Sequence, residues 1–300
     1  MLVTGGTVFV SRRAADYFAK NGWDVYVLNR NTRPQPRGAT LIEADRKQLG
    51  DQLRDMYFDA VLDITAYNAD DVNLLLDGLG DFGDYILVSS SAVYPESTPQ
   101  PFREDAPVGE NSIWGSYGTH KIAAEKALLE RAPNAYILRP PYLYGPGNNV
   151  YREAFVFECA LSDRPFYIPR EGEMKLQFFH VDDLCRFMDL IISTHPQQHI
   201  FNVGNRLSVT VAEWVELCYR AAGKTAQLSN VHADIPQRSY FSFHDYEYAL
   251  DVERQHGLMA DTVPLERGLA EAFEWYREHG DQVVRKNLIE FIDSELSKQA

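Results

Sequence analysis

The sequence predicts an α/β protein, a doubly wound parallel sheet with helices on both faces followed by a smaller C-terminal lobe. Three observations carry that expectation. Short β-branched runs alternate with amphipathic helical stretches through the first half, the pattern of parallel strands joined by crossover helices. The first strand runs into Thr4-Gly5-Gly6, a turn suited to feeding a strand into a phosphate-facing helix. Beyond Gly147 the alternation loosens into helices mixed with short strands. The expected division is 1–165 for the sheet domain and 166–300 for the lobe, with 177–205 crossing back to the sheet.

In order, MLVT reads as a strand, TVFVSRRAADYFAKNG as a helix ending at Gly22, and WDVYVLNR, TLIEA and DAVLDIT as the second, third and fourth strands. A helix over Asp70 to Leu79, the strand DYILVSS, a proline-rich loop from Pro95 to Pro107, a helix from Ser116 to Arg131 and the strand AYILRP follow. Helices are expected at Tyr151 to Leu161, Val181 to Ser193 and Val209 to Ala222, among short strands such as PFYIP and HIFNVG. Two terminal helices, Pro264 to His279 and Asp281 to Ser297, are separated by a stop at Gly280.

With 300 residues, 45% of them hydrophobic, the chain can bury a large core. No run of about 18 apolar residues appears and no charged leader precedes the first strand, so a cytoplasmic protein without a membrane span is expected. A net charge of −14 repels a polyphosphate backbone, which makes nucleic acid an improbable partner. Cys159, Cys185 and Cys218 lie apart within apolar helical patterns and read as buried free thiols. No metal site is expected: Asp182 and Asp183 fall in the first turn of a helix, where carboxylates cap amides and oppose the dipole, and the histidines are scattered.

In a strand-turn-helix unit the first glycine makes the turn, a second lets the backbone approach a pyrophosphate, and a third packs helix on strand. Here Gly5 and Gly6 are present, but Val8 and Ser11 stand where the other two belong. Gly5, Gly6, Thr7, Val8 and Phe9 are the candidate pyrophosphate cradle; a purely structural glycine turn is the alternative. The second strand ends in Asn29-Arg30 with Arg33 beyond, so no carboxylate repels a 2′-phosphate and two guanidiniums can pair with it. NADP is favoured over NAD on that ground, with solvated loop arginines as the alternative reading. Asp45-Arg46 after the third strand can reach an adenine edge, although an aspartate there can also simply cap a helix.

SYGTHK places Tyr117 and Lys121 on one face of a helix, where an ammonium beside a phenol favours the phenolate and equips it to take or return a hydroxyl proton. The strand LVSSSAVY ends in serines at the edge of the sheet where ligands of open α/β folds bind.

Taken in order, LVTGGT, EADR, DAVLDITA, VSSSAVY, YGTHK, LRPPYLYGPG, FFHVDDL, FNVG and LERGLAEAFEWY resemble the extended short-chain dehydrogenase/reductases, specifically the NAD-dependent epimerase/dehydratase group, over nearly the whole chain. The resemblance implies a Rossmann-type NAD(P)-binding domain and a substrate lobe. It makes Tyr117 the acid/base, Lys121 its pKa partner and nicotinamide-ribose ligand, and Ser90 the hydrogen-bonding serine. The implied reaction is hydride transfer between a sugar-like hydroxyl carbon and the nicotinamide, ending in an epimer or a released ketone, and a homodimer is implied as well.

The departures are specific. Dehydratases of the family carry an Asp-Glu pair where this chain has Ser91-Ala92, which disfavours elimination of water. Nucleotide-sugar relatives hold a diphosphate with an asparagine and an arginine where Tyr142 and Leu176 stand, leaving Ser91, Tyr142 and Arg238 as the candidate substrate contacts. Val8, Ser11, Asp63 and YFSFHDYEYALDV resemble a divergent branch that includes chloroplast stem-loop RNA-binding proteins, so a non-catalytic or RNA-binding protein on this scaffold is the second reading.

Overall fold

The computed structural model describes residues 1–297. Strand β1 (Leu2–Thr4) is buried at every position, because a strand covered on both faces needs apolar or hydrogen-bonded side chains throughout. The sheet domain continues with helix α1 (Phe9–Lys20), β2 (Val25–Asn29), β3 (Ala39–Glu43), β4 (Phe58–Asp63), α2 (Ala69–Gly78), β5 (Phe82–Val88), α3 (Ser116–Arg131) and β6 (Tyr136–Arg139). The remaining elements are β7 (Tyr142–Tyr144), α4 (Glu153–Leu161), β8 (Phe166–Pro169), β9 (Lys175–Leu176), β10 (Phe178–His180), α5 (Val181–Thr194), β11 (Ile200–Asn202), β12 (Val209–Thr210), α6 (Val211–Ala221), β13 (Leu228–Val231), α7 (Glu253–Leu258), α8 (Leu265–His279) and α9 (Leu288–Phe291).

Seven parallel strands form the main sheet in the order β11-β6-β5-β4-β1-β2-β3, with Val3 level with both Val27 and Leu62. The chain winds outward from β1 to β3, then restarts at β4 on the other side of β1. The crevice where strand order reverses lies at the C-terminal ends of β1 and β4, which is where open α/β sheets bind ligands. Helices α1 and α5 cover one face through Ala14, Phe18, Cys185 and Met188, and α2 and α3 cover the other through Val72, Leu75, Ala124 and Leu128. Full burial of each large aliphatic or aromatic side chain contributes roughly 1.5–3 kcal/mol. A separate cluster centred on Phe155, Trp214 and Phe273 joins α4, α6 and α8.

The doubly wound parallel sheet and the smaller C-terminal lobe agree with the sequence expectation. The second terminal helix does not: residues 283–287 run without helix, and only Leu288–Phe291 is α-helical before a π turn from Ile292 to Leu296. The reason is a competing partner for the backbone. The Val284 N–H donates to the Asn149 carbonyl at 2.9 Å and Val284 bridges Val150, so this stretch is drawn out along a loop instead of coiling. All three cysteines are buried free thiols. Among the described residues no helix is long and apolar enough to cross a membrane.

Candidate functional site

The turn after β1 is built for close approach. Gly5 and Gly6 have φ of +87° and +83°, and a Cβ on Gly6 would lie 2.5 Å from Val27. The Gly5 N–H donates to Leu28 O at 2.9 Å, while the Asn29 amide donates to Gly5 O at 2.7 Å. Helix α1 then starts without a side-chain cap on Val8 and without an acid in its first turn. Its leading amides therefore meet the crevice with the dipole's positive end; Arg12 and Arg13 stand beside it, paired with Asp16 at 2.9 Å and with Asp182. These features fit the pyrophosphate of a dinucleotide. Ser11 is accommodated by turning its hydroxyl to Val8 O at 3.0 Å beneath Gly5.

Two cavities flank this turn. The larger, about 610 Å³, is lined by Ser90, Ser91, Tyr117, Lys121, Tyr142 and Arg152 together with Val8 and Phe9. The smaller, about 300 Å³, is lined by Thr7, Arg12, Arg13 and Arg33, again with Val8 and Phe9. Val8 thus stands between them. Val8→Gly is expected to tighten NADPH binding about fivefold, since it removes a branched side chain from the path between the cavities and glycine caps a helix better than valine. Unchanged or weaker binding in a fluorescence titration would mean that the valine clears the groove.

The structure brings the expected catalytic side chains to one wall of the larger cavity. Helix α3 delivers Tyr117 and Lys121, and its approach depends on Gly118, where a Cβ would come 2.4 Å from Ala92 O. Strand β5 delivers Ser90, whose hydroxyl accepts from Ala92 N at 3.2 Å and so fixes the turn that follows. Ser91 is buried and donates to Tyr248 Oη at 3.1 Å.

The electrostatics correct one sequence expectation. Lys121 is only 2% exposed, and its ammonium donates to Ala66 O at 2.7 Å and Val88 O at 2.9 Å, with the Tyr67 ring 5.1 Å away. Burial pushes its pKa down to about 8, against the pull of Asp63, Glu125 and Asp71. Tyr117 retains 40% of its surface, yet desolvation of its phenol raises its pKa; Tyr67 adds to the rise, and Ser90 and Arg152 work against it. The phenol therefore holds its proton instead of being driven towards phenolate, because burial disfavours its charged form and the Lys121 ammonium is turned to backbone carbonyls.

Other expected cofactor contacts are redirected. Arg46 is not free for an adenine edge: its guanidinium makes a buried ion pair with Asp63 at 2.5 Å and also donates to Asp71 O at 2.7 Å. Asp63 has 0% exposure and additionally accepts from Thr4 at 2.8 Å and Tyr85 at 2.7 Å. Burial opposes its ionisation, but the Arg46 charge and these hydrogen bonds hold its carboxyl below the usual aspartate range. Asp45 takes the capping role, accepting from Lys47 N at 2.9 Å. The Asn29 side chain is saturated by Gly5, Asn31 and Gln35, so it braces the turn. Arg30 is exposed and lines neither cavity, whereas Arg33 shares the smaller one with Arg12, which reaches Pro34 O at 3.2 Å. Arg12 was missed by sequence reasoning, although a basic pair early in a helix, against the dipole, is a legible sign of an anion nearby. Asp182 pairs with Arg13 and Asp183 with Arg186.

Residues 1–204 match the profile of the NAD dependent epimerase/dehydratase family. Among curated proteins, the chain is 26% identical over 298 residues to the chloroplast stem-loop binding protein of 41 kDa b of Arabidopsis thaliana, covering 91% of this chain and 78% of the relative. It is 26% identical over 221 residues to a probable GDP-L-fucose synthase of Oryza sativa subsp. japonica, covering 67% of this chain and 64% of the relative, and so spans less than two thirds of that protein. Among solved structures, a putative epimerase from Burkholderia cenocepacia superposes with a TM-score of 0.75 at 21% identity, over 92% of this chain and 97% of the other. A UDP-glucuronic acid 4-epimerase from Bacillus cereus, solved with NAD, superposes at 0.72 and 18% identity, over 94% and 98%. These two likenesses establish the Rossmann-type fold.

Proposed function

Because this chain belongs to the NAD-dependent epimerase/dehydratase family, we propose that it is an NAD(P)-dependent epimerase or reductase acting on a hydroxyl of a sugar-like substrate. The observation that carries the reading is the convergence of Ser90, Tyr117 and Lys121 on one cavity that also meets the uncapped start of α1. A relative is named a probable GDP-L-fucose synthase and a structural neighbour a UDP-glucuronic acid 4-epimerase, which supports a sugar as the substrate class.

Bound NAD(P) supplies the hydride acceptor or donor. The chain's own work is positional and acid-base. Gly5, Gly6 and the first amides of α1 hold the pyrophosphate, and Arg12 and Arg33 take a 2′-phosphate. Lys121, with two of its three N–H donors on Ala66 O and Val88 O, would offer the third to the nicotinamide-ribose end. Ser90 orients the reacting oxygen, and Tyr117 exchanges a proton with it. A phenol that keeps its proton is the form that donates to a ketone, which supports the reductive half of either reaction. In this reading 1–165 carries the cofactor and 166–300 the substrate lobe.

Stem-loop binding is disfavoured despite the Arabidopsis relative, since a net charge of −14 opposes a polyphosphate strand. The cofactor assignment is tested by titrating NADPH and NADH. NADPH should bind more tightly, and Arg33→Ala and Arg12→Ala should each cost roughly tenfold in NADPH affinity while leaving NADH nearly unchanged. Equal affinities that ignore both substitutions would remove the 2′-phosphate role, and no binding of either nucleotide would remove the enzyme reading.

A further inference from the structure

The larger cavity has an aromatic wall beside the catalytic phenol. Trp114 lines it, partly buried, and four rings meet the indole at steep angles: His244 at 5.2 Å, Tyr248 at 6.1 Å, and Tyr142 and Tyr246 each at 6.3 Å. None of the four is stacked parallel on it, the smallest interplanar angle being 64°. Behind it Tyr142, 6% exposed, packs 4.7 Å from Phe243 and 5.7 Å from Tyr248. The backbone fixes where the indole stands. The buried Asn111 side chain accepts from Trp114 N at 3.3 Å and donates to Tyr94 O at 2.9 Å, while Trp114 O accepts from Tyr117 N at 3.2 Å. One short, anchored segment therefore holds both the indole and the phenol, and gives them a set separation.

The polar groups on this wall suit neutral oxygens. Arg152 lies 5.1 Å over the Tyr142 ring and 5.8 Å over Phe243 with one N–H directed at Leu143 O at 3.4 Å, which leaves other donors of its planar fork for a ligand. His244 lines the cavity too. Desolvation, then the charges of Arg238, Lys286 and Arg152, lowers its pKa, so at neutral pH it is an uncharged ring that both gives and takes a hydrogen bond. Arg238, expected from the sequence as a substrate contact, does not line this cavity, and the Lys121 ammonium is turned to backbone carbonyls. A diphosphate here would meet one guanidinium, in a chain of net charge −14 and in about 610 Å³ that the nicotinamide-ribose end must share. A wholly apolar ring would leave Arg152 and His244 without partners. A sugar ring answers both features. Its C–H face is apolar and slightly positive, which matches the negative face of an indole, and its rim of hydroxyls matches a guanidinium fork and a neutral imidazole.

We propose that the substrate is an unactivated sugar, bound without a nucleotide diphosphate, with its C–H face on Trp114 and its hydroxyls on Arg152 and His244. Trp114 is then the residue that sets specificity: it selects a ring by its face and, through the segment it shares with Tyr117, brings one ring oxygen substituent to the phenol. This narrows the substrate class of the functional reading above and rests on that reading for the reaction, whereas the binding of the sugar does not.

The test is saturation-transfer NMR on the full chain saturated with NADPH, which reads weak binding and shows which ligand protons touch the protein. The probes are D-glucose, D-galactose, D-mannose, L-fucose, D-xylose and L-arabinose, set against UDP-glucose, UDP-galactose and GDP-mannose. At least one free sugar should bind, with saturation strongest on the C–H protons of one face. Trp114→Leu should weaken that sugar by roughly tenfold and Trp114→Phe should restore much of the loss, with NADPH affinity and the melting temperature held. Arg152→Gln should weaken it by a smaller factor. A nucleotide sugar that binds tenfold or more tightly than its free sugar overturns the proposal, as does free-sugar binding that ignores Trp114→Leu. No binding of any free sugar to protein that still binds NADPH also overturns it, and leaves the cofactor assignment standing. Failure to bind NADPH itself counts against the enzyme reading instead; the same probes are then run on the ligand-free chain, where dependence on Trp114 decides the sugar site.

Discussion

Tyr117→Phe is expected to lower turnover by about 10²- to 10⁴-fold, the range over which a positioned proton donor acts, while NADPH affinity changes little. The substitution removes one oxygen from a residue that keeps its ring against the cavity wall, so the fold and the start of α1 are untouched. The assay is the NADPH absorbance change, or epimer formation, on a substrate turned over by the native protein. Full activity in the variant would transfer the proton to another group and remove Tyr117 from the reaction. The native protein should also lose turnover above pH about 8, because Lys121, whose pKa burial lowers to about 8, then gives up the positive charge assigned above to the nicotinamide-ribose end.

Asp63→Asn is expected to destabilise the protein by about 3–5 kcal/mol, the usual cost of leaving one partner of a buried ion pair uncompensated. Arg46 is nearly as buried as Asp63, and the asparagine can accept from only some of the donors, Thr4, Tyr85 and Arg46, that converge there. The measurement is the urea midpoint of unfolding. A change below about 1 kcal/mol would mean that the pair is nearly neutral in context. The acid dependence follows from the direction of the shift. Because folding depresses the Asp63 pKa below 3.8, its contribution is complete above that value and fades as the pH drops through the lower folded value, so the variant should show a smaller acid-induced loss than the native chain. The same variant reports on the site: Asp63 helps to keep Lys121 protonated, so the alkaline fall in any residual turnover should move to lower pH.

The order of strands and helices was legible because each element advertises itself locally: β1 through β6 are short apolar runs, and α3 spans the residues its periodicity indicates, Ser116–Arg131. The stretch after Gly280 was not, since whether Val284 coils or extends depends on a loop more than a hundred residues earlier, where Asn149 supplies the acceptor. The same distinction divides the site. Tyr117 and Lys121 could be named because an i, i+4 spacing puts them on one helix face, and a serine at the end of β5 because strand ends meet the ligand edge, whereas Ser90 in particular came from the family resemblance. That Arg46 is consumed by Asp63, or that Lys121 points at Ala66 and Val88, depends on contacts between distant segments.

Burial of Cys159, Cys185 and Cys218 has a practical corollary. Desolvation holds all three sulfurs in the protonated state, which attacks maleimides and haloacetamides poorly. The native chain is therefore a quiet background for thiol labelling: a single cysteine introduced at Leu207, whose side chain is 79% exposed, should be the one position that takes up a fluorophore.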